Sequence, residues 1–225
     1  MGLNILLRSS DAVSYFKRYL LKLLQMKDLT EVVLCSGYFQ EDLWAYSVLH
    51  HDDLLKTIQN HPNFGGLKFH IVAGKFKTDK KTGKIADAWY DSYKSFLQEL
   101  SKAHVNFDAY VAKKKNWHAK IVLFISNGVP VAGIIGSSNL TKPAVNENYN
   151  FFNFECDVVI WTKKRRLNKV FREEVPQQQG DSPFAPLVAQ LSPSYPQQDE
   201  EARLKAIYKE IMSQEDLDRF DAWRK

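Results

Sequence analysis

Trp117-His118-Ala119-Lys120-Ile121-Val122-Leu123-Phe124 sets a histidine and a lysine two residues apart at the head of an apolar run. In an extended strand such residues point to the same face, so both side chains share one side while the strand continues into core. Downstream, Val129 to Ile135 is a second apolar strand, and Ser126-Asn127-Gly128 between the two reads as a hairpin turn. A third strand follows at about 154–161. Upstream, strands expected at 3–7, 31–36, 67–73 and 105–111 alternate with helices. One helix starts at Ser10 or Asp11 and runs to about Lys27, with Val13, Phe16, Leu20, Leu23 and Leu24 on one face. A helical stretch over 41–60 is broken near His50, and another over 85–103 carries Trp89, Tyr93, Phe96 and Leu100 as a core stripe. Alternation first and consecutive strands later predict a layered α/β/α domain with a mixed, largely buried β-sheet and a C-terminal helical extension.

Composition supports a folded body. With 44% hydrophobic and 13% aromatic residues in 225, the chain has ample core material, which excludes collagen-like, low-complexity and wholly disordered classes. No run of 18 apolar residues and no basic leader occur, so neither a transmembrane segment nor a secretory signal is expected, and the location read from this is cytoplasmic. Cys35 and Cys156 each sit in an apolar run, as two reduced core thiols would. Charge is uneven: residues 1–172 carry a net +10 and residues 173–225 a net −5. A basic body is the footprint of a polyanionic partner.

The chain divides into a main domain (1–172), a Pro/Gln-rich linker or arm (173–199) and an amphipathic helical tail (200–225). In the tail, Leu204, Ile207, Tyr208 and Ile211 form one stripe, and Ser213 with Asp216 suggests a second short helix carrying Leu217, Phe220 and Trp223. The stripe needs a surface, and a partner protein or second copy is preferred to the chain's own domain. Two tempting motifs fail. Gly83-Lys84 in the lysine-rich loop 74–84 lacks the glycine and hydroxyl residues of a phosphate loop, since Thr78 and Ile85 stand there. His50-His51-Asp52-Asp53 reads better as a solvated helix junction than as a metal site.

Beyond His118-x-Lys120, the sequence has Gly136-Ser137-Ser138-Asn139 after the second strand and Glu155 at the head of the third. Each alone is ordinary: a structural histidine, a turn, a strand-edge glutamate. Together, over 117–161, they resemble the phospholipase D superfamily, whose signature is His-x-Lys, Gly-Ser-x-Asn and then Glu. Ser36-Gly37-Tyr38-Phe39 resembles the family's early strand-end segment. The family's Asp five residues after the Lys is Ile125 here, which bears on local geometry more than on chemistry.

The resemblance implies roles. Phosphodiester attack needs a nucleophile, an acid for the leaving oxygen and cationic or hydrogen-bonding groups on the other oxygens. His118 would be the nucleophile, Lys120 and Asn139 would hold the phosphate, Ser137 would assist, and Glu155 would fix the imidazole tautomer. No metal or cofactor is called for, because Lys120 supplies the charge. One His-x-Lys per chain implies a homodimer in which two copies of His118 meet at one site. Lys113, Lys114 and Lys115 before the motif, and Lys163, Lys164, Arg165 and Arg166 after the third strand, could track a phosphate backbone. Nucleic acid, DNA ahead of RNA, is therefore the expected substrate, and a nuclease of a bacterial restriction or defence system the expected role. A phospholipid-hydrolysing enzyme and a non-catalytic binding module of the same fold are the alternatives.

Overall fold

Along residues 31–36 successive side chains leave opposite faces of the strand: Val32 and Leu34 join one apolar cluster, Val33 and Cys35 another. A strand apolar on both faces belongs at the centre of a sheet covered on both sides. The computed structural model builds that arrangement, and describes residues 2–8, 13–74, 76–77, 81–82, 85, 87–112, 120–147, 152–163, 165–171, 186–189, 200–215 and 217–224.

In chain order the strands are β1 (Gly2–Arg8), β2 (Glu31–Ser36), β3 (Lys68–Ala73), β4 (Asn106–Ala112), β5 (Lys120–Ser126), β6 (Val129–Gly136), β7 (Glu155–Trp161), β8 (Leu187–Ala189) and β9 (Leu217–Arg219). They form one sheet ordered β8-β1-β7-β6-β5-β2-β3-β4-β9. Only β2, β3 and β4 pair in parallel; the other neighbours are antiparallel. The β5–β6 hairpin turns where the sequence indicates, with positive φ at Asn127 (51°) and Gly128 (76°), the pairing a tight hairpin turn requires.

On one face lie α1 (Tyr15–Leu24), α2 (Val48–His51), α3 (Leu54–Gln59) and α4 (Ala88–Lys102), burying Tyr19, Leu23, Leu49, Ile58, Tyr93 and Phe96 in the larger cluster. Helix α1 begins after Ser14, whose side chain caps Lys17 N–H, later than the expected Ser10 or Asp11, which lie outside the described residues. The stretch 41–60 is helical only from Val48, because Leu43 and Tyr46 bridge across a tight turn. At its junction His50, His51 and Asp53 are exposed, as a solvated junction would be, and His50 pairs with Glu99; Asp52 alone departs, buried on Lys17 and Tyr46.

The tail departs from expectation in two ways. After the short helices α5 (Lys142–Val145) and α6 (Arg165–Lys169), helix α7 (Glu200–Met212) lays Leu204 and Ile211 on the sheet's second face, against Val33, Cys35, Val72, Leu123 and Ile125. Gly133 on β6 makes room for it: a Cβ there would stand 2.8 Å from Leu204 Cδ2. The stripe is thus covered by its own chain rather than by a partner or second copy, and α7 is the third layer of the sandwich. Residues 217–219, expected in a helix, instead pair with β4, whose outer edge would otherwise leave backbone groups unbonded. Phe220 and Trp223 still turn inward, onto Tyr93 and Phe107. Among the described residues no helix is long and apolar enough to cross a membrane.

Candidate active site

Strand direction gathers the site at one end of the sheet. The C-terminal ends of β1, β2 and β6 and the N-terminal ends of β5 and β7 coincide there: Lys120 sits opposite Gly136, Gly136 opposite Asp157, and Arg8 opposite Glu155. The loops leaving β2 and β6 are then stitched together. Phe39 and Leu140 form a bridge, Leu140 O accepts from Gln40 N–H (2.9 Å), and Gln40 Oε1 accepts from Lys142 N–H (2.8 Å).

This stitching fixes Asn139. Its Oδ1 accepts from Tyr38 N–H (3.2 Å) and lies 3.3 Å from Ser36 Oγ, which donates to Tyr38 O (2.6 Å) and accepts from Leu140 N–H (3.1 Å). With the carbonyl engaged, the amide nitrogen is the end left to meet a ligand. Lys120 comes to the same place: a Cβ on Gly37 would stand 3.1 Å from Asn139 Oδ1 and 3.9 Å from Lys120 Nζ. A side chain at position 37 would press on Asn139 Oδ1, so glycine suits the close approach, and the lysine and the asparagine flank it together.

Ser137 and Glu155 form a second pair. The Ser137 hydroxyl donates to Glu155 Oε2 and accepts from Cys156 N–H (3.0 Å), so it orients the carboxylate. Glu155 is buried, as is Asp157 two residues on, whereas Cys156 between them faces out. This corrects the expectation of two core thiols: β7 turns its polar residues inward at this end, and only Cys35 is in the core. Ile125, where the family has Asp, is buried in the apolar cluster beneath α7.

Asp157 is a site residue that the pattern reading passed over. Its carboxylate accepts from Ser138 N–H (3.1 Å) and Ser138 Oγ (2.6 Å), clamping the turn between Ser137 and Asn139. Burial pushes its pKa above the ordinary 3.8, with Ser138's hydrogen bonds opposing the rise. The folded chain thus favours the protonated form. Its stabilising contribution is complete below the ordinary value and is lost as pH rises through the raised one. Asp157→Asn keeps both contacts without the charge, so its melting temperature relative to wild type should climb by a few degrees between pH 4 and pH 7. Thermal melts across that range check this, and a pH-independent difference would refute it.

His118, Lys113, Lys114, Lys115 and Lys164 lie outside the described residues, as do the side chains of Arg165 and Arg166. The lysines at 113–115 follow β4, which ends at the site's end of the sheet. Lys163 follows the far end of β7, about 20 Å along the strand from Glu155. Lys163 therefore does not flank the site as expected. Among the described residues no group of three His, Cys, Asp or Glu is placed to hold a metal ion.

A mixed sheet with Lys, Gly-Ser-x-Asn and a buried Glu gathered at one end defines a phospholipase D-type domain. The family comparison is more specific: the chain belongs to the family described as the NgoFVII restriction endonuclease N-terminal PLD domain, whose model matches residues 16–179. No curated protein matches the sequence. Among solved structures, phosphatidylserine synthase from Haemophilus influenzae Rd KW20 superposes with a TM-score of 0.50 at 13% identity, over 93% of this chain and 45% of that one. NucT from Helicobacter pylori gives 0.39 at 16%, over 70% and 84%, and yeast tyrosyl-DNA phosphodiesterase 0.46 at 13%, over 71% and 47%. The chain spans a quarter of the matched polyphosphate kinase of Porphyromonas gingivalis and under half of the synthase.

Proposed function

We propose that this domain is a metal-independent phosphodiesterase that cleaves nucleic acid, DNA ahead of RNA, through a phosphohistidine on His118. The observation that carries the proposal is the convergence of Lys120 and Asn139 on Gly37, one cation and one amide at the end of the sheet where the motif strands meet. His118, two residues before Lys120 in the sequence, would attack phosphorus there. The leaving oxygen would take a proton from His118 of the partner subunit, and that imidazole would then accept a proton from the water that attacks the phosphohistidine, releasing the second product and restoring both rings. Glu155, held by Ser137, would orient the nucleophilic imidazole and stabilise its charge.

Nucleic acid is favoured by the +10 body, by the three consecutive lysines 113–115 shortly before the His118-x-Lys120 motif in sequence, and by the family's restriction-endonuclease description. On the same grounds the domain would act in the cytoplasm as the cutting part of a restriction or defence system. Protein treated with excess EDTA should cleave labelled DNA, more slowly RNA, and leave phosphatidylcholine vesicles intact. A strict magnesium requirement, or turnover of the vesicles alone, would overturn the proposal.

A further inference from the structure

Beside the phosphate-binding pair lies a cavity of about 340 Å³ whose walls include Asn139, Tyr38, Trp44, Trp89 and Lys142. Three of these are aromatic and in mutual contact: the Tyr38 and Trp89 rings lie 4.6 Å apart, and Trp44 meets Trp89 edge-on at 5.4 Å. Trp89 packs against the edge of the larger core cluster, and the other two stand out from it. Trp44 is 72% exposed and Tyr38 43%. Trp89, the first member of the stripe on α4, stays half-buried, whereas Tyr93, Phe96 and Leu100 are fully covered.

The backbone beneath Trp44 is costly. Trp44 and Ala45 occupy the centre of the Leu43–Tyr46 turn with φ of 54° and 53°, a conformation suited to Asn and Gly and strained for a bulky residue. Folding alone favours neither the strain nor an exposed indole. Both make sense if the ring is presented to a ligand. The ligand's chemistry follows from the lining. Among the described residues the cavity has no carboxylate and has Lys142, so it disfavours a cationic headgroup. It suits a neutral flat ring attached to an anion held at Asn139.

We propose that Tyr38, Trp44 and Trp89 form a stacking subsite for one unpaired nucleobase adjoining the phosphate at Lys120 and Asn139. A base paired inside a duplex hides its faces, so the substrate is single-stranded at that nucleotide, or becomes so on binding. This rests on the phosphodiesterase reading, and the test separates the two.

The full chain and its Trp44→Asn and Trp44→Phe variants are assayed on oligothymidylate and on a base-free deoxyribose-phosphate polymer of equal length. Asn tolerates the turn, so Trp44→Asn should melt no lower than wild type. Its kcat/KM on oligothymidylate should fall about 5- to 100-fold, as expected for loss of one stacked base, with no change on the base-free polymer. Trp44→Phe should recover most of the loss. Unchanged cleavage of oligothymidylate, or equal loss on both polymers, would overturn the subsite. If wild type cleaves duplex DNA but not oligothymidylate, the subsite is overturned; if it cleaves neither polymer nor duplex DNA, the phosphodiesterase reading fails and tryptophan fluorescence decides the subsite. Quenching by oligothymidylate alone, and lost in Trp44→Asn, supports it, while quenching unaltered by the substitution, equal with both polymers or absent overturns it.

Discussion

Replacing His118 by alanine should lower cleavage of DNA by about 10⁴-fold or more while DNA binding changes little. The size follows from the proposed chemistry: the same imidazole is nucleophile in one subunit and proton donor in the other, so one substitution removes both functions from every site. Mixing gives a sharper version. If each site needs His118 from two chains, a wild-type chain paired with a variant chain is inactive. Activity per wild-type chain should then fall in proportion to the wild-type fraction once subunits exchange. A monomeric site would leave that activity constant on dilution with variant, and that result would overturn the shared site. Loss of binding and of folding together in His118→Ala would instead identify a structural histidine.

Much of this architecture is legible in the sequence because the sheet is strongly patterned. The run 31–36 is apolar on both faces, and only a central strand under two layers satisfies it. The Asn127-Gly128 turn fixes the β5–β6 register, and with it the separation of Lys120 from Ser137. What escapes sequence reading is long-range choice. Leu204 and Ile211 announce an amphipathic helix but not its seat; the seat exists because Gly133 leaves a hollow on the second face. Leu217 to Arg219 pair with β4 because an edge strand offers free backbone groups, which outweighs the local helical signal.

The site is divided in the same way. The residues that touch phosphate by resemblance are visible as a motif. The residues that hold them are only partly so: Ser36 and Gly37 stand in the early strand-end segment, but their contact with Asn139, and the clamp of Asp157 on Ser138, arise only through the sheet. A signal for Asp157 was present: two carboxylates spaced by two at the head of an apolar strand share one face, and Cys156 must then take the other. The placement of the Lys163 cluster also turns on topology. A strand that begins at the site necessarily ends away from it.

Those supporting contacts make Asn139 the most discriminating position in the domain. Its carbonyl oxygen is already occupied by Tyr38 N–H, with Ser36 Oγ beside it, so its amide hydrogens are what it can offer to a phosphate. Asn139→Asp preserves the shape and the accepting oxygen, and exchanges the donor for a negative charge beside Lys120. Loss of a single preorganised donor lowers rates by about 10²–10³-fold, and like-charge repulsion of the phosphate adds to that, so kcat/KM should fall by about 10³-fold or more. The melting temperature should barely change, because the Tyr38 hydrogen bond survives and the Lys120 ammonium compensates the new charge. Cleavage and thermal melts on the same preparation test both halves. A variant that unfolds would show that the amide hydrogens serve the loop rather than the ligand. A variant that folds and cleaves normally would remove Asn139 from phosphate binding.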